Sequence, residues 1–174
     1  MAKKKILSIP DPLLRKVSEP VLKVDTEVKK LMDDMLETMY AAPGIGLAAV
    51  QIGILKRAIV IDLSKEDGKR NPLFLVNPEI TFKSKELTTY EEGCLSIPNQ
   101  FAEVKRSSEC KINFLDYNGN KDELHAQGLL ATCIQHEIDH LNGILFIDHL
   151  SKLKKDLILK KTKKQKKEID RVVV

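Results

Sequence analysis

The residues His136-Glu137-Ile138-Asp139-His140 carry the strongest chemical signal in the chain. On an α-helix, positions four apart lie one turn above each other on the same face, so imidazoles at 136 and 140 can grip one cation. Glu137 stands about 100° round the helix from His136. It can reach a metal-activated water without being forced to bind the metal. That arrangement suits a general base in metal-assisted hydrolysis. The flanking Leu129, Leu130, Cys133, Ile134 and Leu141 mark a buried helix rather than a solvated one with two stray histidines. Buried imidazoles and carboxylates need partners.

A catalytic metal held by two His needs a third protein ligand and an open position. Where the extended metalloprotease pattern has its third His, this chain has Phe146. His149 lies beyond the helix stop and reads as a surface residue. Cys94 is the better candidate. It sits in Glu91-Glu92-Gly93-Cys94-Leu95-Ser96-Ile97-Pro98, where Gly93 lets the backbone approach a metal or substrate closely. Cys110 reads as a small buried hydrophobe. Cys133, one turn before His136 and Glu137, reads as a pocket wall rather than a ligand. The loop Gly44-Ile45-Gly46-Leu47-Ala48-Ala49 matches a dinucleotide fingerprint on paper, but a helix and not a strand precedes it. Its glycines suit a backbone that pairs with an extended substrate. Gln51, just beyond, offers a neutral amide donor for a developing oxyanion.

Several elements must position these groups. Val28, Leu31, Met32, Met35, Leu36 and Met39 repeat at helical spacing, which predicts a helix over 26–41 with Asp25 as N-cap and Pro43-Gly44 as stop. Residues 57–63 and 73–76 read as buried strands separated by a polar turn at 65–71, and 85–90 as a possible extension of the same sheet. Residues 109–115 alternate, with Cys110, Ile112 and Phe114 on one face, and Asn118-Gly119 is a turn. A helix over 127–141 ends at Asn142-Gly143. A third helix over 150–168 is expected to bury Leu150, Leu153, Leu157 and Ile158 on one face. Strands in the middle and helices at both ends predict an α+β fold. Its small mixed or antiparallel sheets would pack around the central HExxH helix, with a helix at the C-terminal end.

With 174 residues, 43% of them hydrophobic and 31% charged, the chain suits one folded domain rather than a disordered segment. Residues 1–150 read as a single catalytic domain, and 151–174 as a basic helix and tail of the same domain. Three widely spaced cysteines do not make a disulfide framework and point to a reducing compartment. Lys3, Lys4 and Lys5 precede an apolar run that Pro10, Asp11 and Pro12 break, so neither a secretory segment nor a membrane span is expected. A cytoplasmic monomer is the expectation. The net charge is +4, and residues 148–174 hold nine Lys and Arg171 against only four carboxylates, so the charge sits in a basic tail on a nearly neutral body. The absence of Trp argues against a broad base-stacking surface.

Three segments, 44–51 (Gly-Ile-Gly-Leu-Ala-Ala-Val-Gln), 92–96 (Glu-Gly-Cys-Leu-Ser) and 135–143 (Gln-His-Glu-Ile-Asp-His-Leu-Asn-Gly), resemble the three signature motifs of the peptide deformylases, in order and spacing. The resemblance runs from Ile6-Leu7 to about residue 150. It implies a metal held by Cys94, His136 and His140, with Glu137 as general acid/base. The Gln51 amide and the Leu95 backbone N–H would stabilise the oxyanion. One divalent ion is implied, usually Fe(II) in the family, with Zn(II), Ni(II) or Co(II) able to occupy the site. The implied reaction is hydrolysis of a formamide. Water adds to the formyl carbon of a formyl-Met nascent peptide, Glu137 passes the proton to the leaving amine, and formate departs. Ile45, Leu129 and Cys133 would wall the methionine pocket, the backbones of Ile45 and Gly46 would pair with the peptide, and Gly93 would lie close to it.

The chain departs from some members at three places. Val50 replaces a Pro, Phe101 stands where an Arg offers a polar contact beyond the first residue, and Thr132 replaces an aliphatic residue and makes the pocket slightly more polar. The chain also ends like the type with a C-terminal helix, which implies ribosome contact through the Lys-rich stretch 152–167. A metallopeptidase acting on internal bonds fits less well, because the third ligand candidate lies upstream of the motif. A non-catalytic RNA-binding metal protein would need a closed four-ligand site, and it gives Glu137 and Gln51 no purpose.

Overall fold

The computed structural model describes residues 2–64 and 69–172. Of the polar turn expected over 65–71, residues 65–68 lie outside that description. Helix α1 spans Thr26–Ala41, and the Asp25 side chain accepts the Val28 N–H at its start. This satisfies one of the orphan donors of the first turn. Val28, Met32, Met35 and Met39 are its buried stripe, as the spacing requires.

Strands β1 (Gly46–Ala48), β2 (Ala58–Ile61), β3 (Leu73–Lys83), β6 (Glu109–Leu115) and β7 (Lys121–Gln127) form a five-stranded antiparallel sheet in the order β1-β2-β3-β6-β7. Strand β2 is apolar at every position because both its faces are covered. Ala58 and Val60 meet Met35 and Met39 of α1, while Ile59 and Ile61 join Ile134, Ile138 and Leu141 of the second helix. Residues 85–90 do not extend this sheet. Residues 87–90 open β4 (Leu87–Cys94), which pairs with β5 (Ile97–Ser107) as a separate two-stranded ribbon. The polar alternation of residues 85–90 cannot say which strand will pair with them; the turn at residues 95–96 decides it.

Helix α2 spans Gly128–Leu141 and begins at Gln127, where β7 ends. It stops at Asn142, with Gly143 at φ +73°, a left-handed conformation that favours glycine. One face of α2 packs on the five-stranded sheet. The other faces the β4–β5 ribbon, and there His136 stacks on Phe146, which belongs to a second core with Leu14, Ile97, Val104 and Ile158. The helix therefore lies between two sheets, so its polar residues are held in an interior.

Helix α3 spans Lys152–Val172. Its docking differs from the expected stripe. Ile158 is buried, but Leu153 is 71% exposed and Leu157 50% exposed. The docked side runs through Ile158 and Thr162, and Lys155 pairs with Asp148. An apolar repeat on a Lys-rich helix defines candidate faces, and only the tertiary contact selects one. No described helix is long and apolar enough to cross a membrane.

Candidate metal centre

His136 and His140 project from successive turns of α2, their ring centroids 5.0 Å apart. Cys94 ends β4 and brings its Sγ to 3.3 Å from His140 Nε2. The ligand atoms of Cys94, His136 and His140 all lie within 4.8 Å of one another. Burial opposes a thiolate at Cys94, yet the two imidazoles beside it hold the thiol well below its usual value. Burial disfavours a charged His136, and its hydrogen bonds with Cys94 and Glu92 outweigh that and raise it. A cation entering the cluster therefore displaces a proton.

This donor set fits one divalent ion: a thiolate and two imidazoles converge, and the buried Glu137 Oε2 and His140 Nδ1 have no hydrogen-bond partner among the described residues. His149 is not part of this group. Its Nε2 lies 2.7 Å from Asp139 Oδ2.

Glu92 Oε2 lies 2.9 Å from His136 Nδ1. Burial pushes the Glu92 carboxyl up, but His136 and Arg106 hold it below its usual range. As an ionised carboxylate it only accepts, so His136 Nδ1 carries the proton and Nε2 is left for a metal. Arg106 grips Glu92 with two N–H groups, Nε to Oε1 at 2.6 Å and Nη2 to Oε2 at 3.0 Å, and donates Nη1 to Asp139 Oδ2 at 2.8 Å. Arg106 and the Asp139–His149 link were not legible as functional in the sequence. Glu92 was visible only as part of a motif.

Glu137 is 4% exposed and its carboxyl is pushed up by burial, against the pull of the neighbouring imidazoles. Gly46 packs on it so closely that a Cβ there would stand 2.5 Å from Glu137 Oε1 and 3.0 Å from Cys133 Sγ. The Gln51 amide is fixed at both ends. Its Oε1 accepts the Ala48 N–H at 2.9 Å, while Nε2 donates to Ser96 Oγ at 3.1 Å and lies 3.6 Å from Cys94 Sγ. The donor end thus faces the cluster.

A cleft of about 450 Å³ opens on these groups. Ile45, Gly46 and Gln51 line one side of it, and Leu129, Cys133 and Glu137 another. Gly93 and Leu95 line it from the ribbon. A Cβ on Gly93 would collide with the Phe101 ring at 2.5 Å, so only glycine lets that ring lie against the strand. Strand β1 is an edge of its sheet. The Ile45 carbonyl is already taken by the Asp62 N–H at 2.9 Å. Antiparallel alternation then turns the N–H and C=O of Gly46 towards the open edge. Asp62 is itself anchored. Burial pushes its carboxyl up, but hydrogen bonds from Ser64, Tyr40 and the Asn71 backbone hold it down. Burial and that carboxylate push the Tyr40 phenol up to about 12.

An HExxH helix held between two antiparallel sheets, with a cysteine completing its ligand cluster, defines a metal-dependent hydrolase. The family described as polypeptide deformylase matches residues 3–156. A peptide deformylase of Pelagibacter ubique is 58% identical over 174 residues, covering 100% of each chain. One from Phenylobacterium zucineum is 56% identical over 167 residues, 96% of this chain and 99% of that one. A crystal structure of a Legionella pneumophila peptide deformylase superposes with a TM-score of 0.91 at 43% identity, covering 98% of this chain and 99% of that one. A structure from Ehrlichia chaffeensis, in complex with actinonin, gives 0.90 at 45% identity, covering 95% and 98%. The chain belongs to the polypeptide deformylase family. Its activity is the metal-dependent removal of the formyl group from N-formylmethionine at the start of new polypeptides.

Proposed function

We propose that Cys94, His136 and His140 hold the metal and that Glu137, Gln51 and Leu95 carry the deformylation around it. The observation that supports this best is the convergence of three ligand atoms within 4.8 Å beside a buried carboxylate with a free oxygen. When bound, the metal supplies Lewis acidity, which makes water a nucleophile at neutral pH. Glu137 takes the proton of the attacking water and delivers it to the leaving nitrogen, a task suited to a carboxyl raised by burial. Gln51 Nε2 and the Leu95 N–H donate to the oxygen that gains charge. Gln51 needs no reorganisation, since Ala48 already fixes its amide.

The open edge of β1 receives the peptide backbone at Gly46, while Ile45 contributes its side chain, its carbonyl being spent on Asp62. Leu129 and Cys133 wall the methionine side chain, and Gly93 keeps the opposite strand close. Fe(II) is the metal we assign, as membership of the family implies, with Zn(II), Ni(II) or Co(II) as substitutes that the mixed thiolate and imidazole set would also accept. The protein acts as a cytoplasmic monomer. Residues 1–150 form its catalytic domain, and 151–174 belong to the same domain through the buried Ile158. The basic, half-undocked α3 contacts ribosomal RNA.

Formate release from a formyl-Met dipeptide, after anaerobic loading with Fe(II) or Zn(II), tests the site. Rapid metal-dependent release is expected. No release despite one bound ion per chain would overturn the assignment. Co-sedimentation with ribosomes, abolished by removing residues 152–174 and weakened by salt, is the outcome expected for α3. Salt-insensitive or unaltered sedimentation would refute it.

A further inference from the structure

Among the described residues, His149 lies outside the ligand cluster yet stands at the end of an unbroken chain of hydrogen bonds that leads into it. The chain runs from His149 Nε2 to Asp139 Oδ2 at 2.7 Å and from that oxygen to Arg106 Nη1 at 2.8 Å. From Arg106 it continues to Glu92 by two bonds of 2.6 and 3.0 Å, and from Glu92 to His136 Nδ1 at 2.9 Å. The inner side chains, Arg106 and Glu92, are each 5% exposed, Asp139 is 18% exposed, and His149 is the outer end at 36%. His149 closes the short turn Phe146–His149 that leads into α3. The same turn touches the metal ligand directly, because the Phe146 ring stacks on that of His136 with centroids 6.3 Å apart. Next to it, Asp148 ties the turn to Arg15 and to Lys155 of α3.

We infer that His149 is a positioning residue for the ligand His136, acting through Asp139, Arg106 and Glu92. This rests on the assignment of His136 as a ligand. The physical case is one of unshared donors. Arg106 faces two carboxylates with a single positive charge. Its fork is saturated by Glu92 on one side, so Asp139 is held by one Arg106 N–H and by His149. Asp139 is an ionised acceptor, so the His149 Nε2 must carry the proton and donate. Without that donor, the Asp139 carboxylate turns to water and pulls Arg106 with it. The Arg106 fork sets the plane of Glu92, and Glu92 sets the ring plane of His136. Partners that orient a metal-binding imidazole directly are worth roughly 10–100-fold in affinity or rate. His149 stands farther out, and an effect of about 3–10-fold follows.

The test compares the metal-loaded wild type with His149→Ala, His149→Gln and His125→Ala. Gln keeps an Nε2 donor at similar reach. His125 makes an equivalent exposed pair with Glu109 at 2.8 Å, away from the chain. Two quantities are read: the rate of metal loss to a chelator, and kcat and KM for a formyl-Met peptide. For His149→Ala, metal loss about 3–10-fold faster is expected, with a matching fall in kcat and an unchanged KM. His149→Gln should restore both, and His125→Ala should leave both alone. A folded His149→Ala protein with wild-type metal loss and kcat overturns the inference, as does failure of Gln to rescue. A wild type that binds no metal overturns instead the assignment of His136 beneath it.

Discussion

Gly46→Ala is expected to disable catalysis without disturbing the metal. The backbone of Gly46 is not in the left-handed region, so alanine is conformationally allowed there. The obstacle is contact. The new Cβ would stand 2.5 Å from Glu137 Oε1 and 3.0 Å from its Cδ. Comfortable carbon contacts begin at about 3.5 Å, so the carboxylate must retreat by about 1 Å. A reacting group misplaced by about 1 Å costs on the order of 10² in rate. The three atoms nearest the new methyl belong to Glu137 and Cys133 and not to Cys94, His136 or His140, so one ion per chain should remain, measurable by metal analysis after gel filtration. Steady-state kinetics on a formyl-Met peptide should show kcat down about 100-fold. Glu137→Ala should lose about 10² or more. The double variant should lose no more than Glu137→Ala alone, because both changes act on one carboxylate. A Gly46→Ala enzyme with wild-type kcat, or losses that multiply in the double variant, would refute the placement of Glu137 as the proton carrier.

Gln51→Ala should reduce kcat on the order of 10² while metal content holds; an unchanged turnover number removes it from the oxyanion role. Arg106→Leu strands Glu92 and Asp139 in the interior, and breaking a buried pair in this way costs about 3–5 kcal/mol, which urea unfolding of the metal-free protein would register. Thr132→Val deletes a buried hydroxyl that has no partner among the described residues; stability should hold or rise by about 1 kcal/mol, and a clear loss would show the hydroxyl to be satisfied in solution. Burial raises the Asp148 carboxyl, but Arg15 and Lys155 outweigh it and hold it well below the usual carboxylate range. That stabilisation is fully present above the unfolded value of about 4 and is lost as pH falls towards the folded one. Asp148→Asn should therefore flatten the loss of stability between pH 5 and 2, and an unaltered slope there would refute the pairing.

The parts legible in the sequence were those in which chemistry and periodicity coincide on one stretch of chain. Helix α2 announces itself through HExxH spacing, an apolar stripe and the Asn142-Gly143 stop, and Cys94 through its glycine. Strands β5 and β7 were missed for opposite reasons. Strand β7 buries only Ala126 fully and so reads as surface. Strand β5 buries Gln100 and Arg106 together with Ile97 and Val104, a mixture that resembles no strand pattern. Arg106 shows why the second half of the site stayed dark. Its partner Glu92 pairs across the ribbon with Ala102, four residues away on the same face, so the Arg106 side chain must run along the strand to reach it. Nothing local encodes that reach. It is set by the register of the ribbon and by α2 closing over it, which brings Asp139 to the third N–H of the guanidinium. The residues proposed to bind and react therefore lie in short motifs, while those proposed to hold them still are scattered from Asp62 to His149. A sequence pattern records the first set, and only the packed sheets assemble the second.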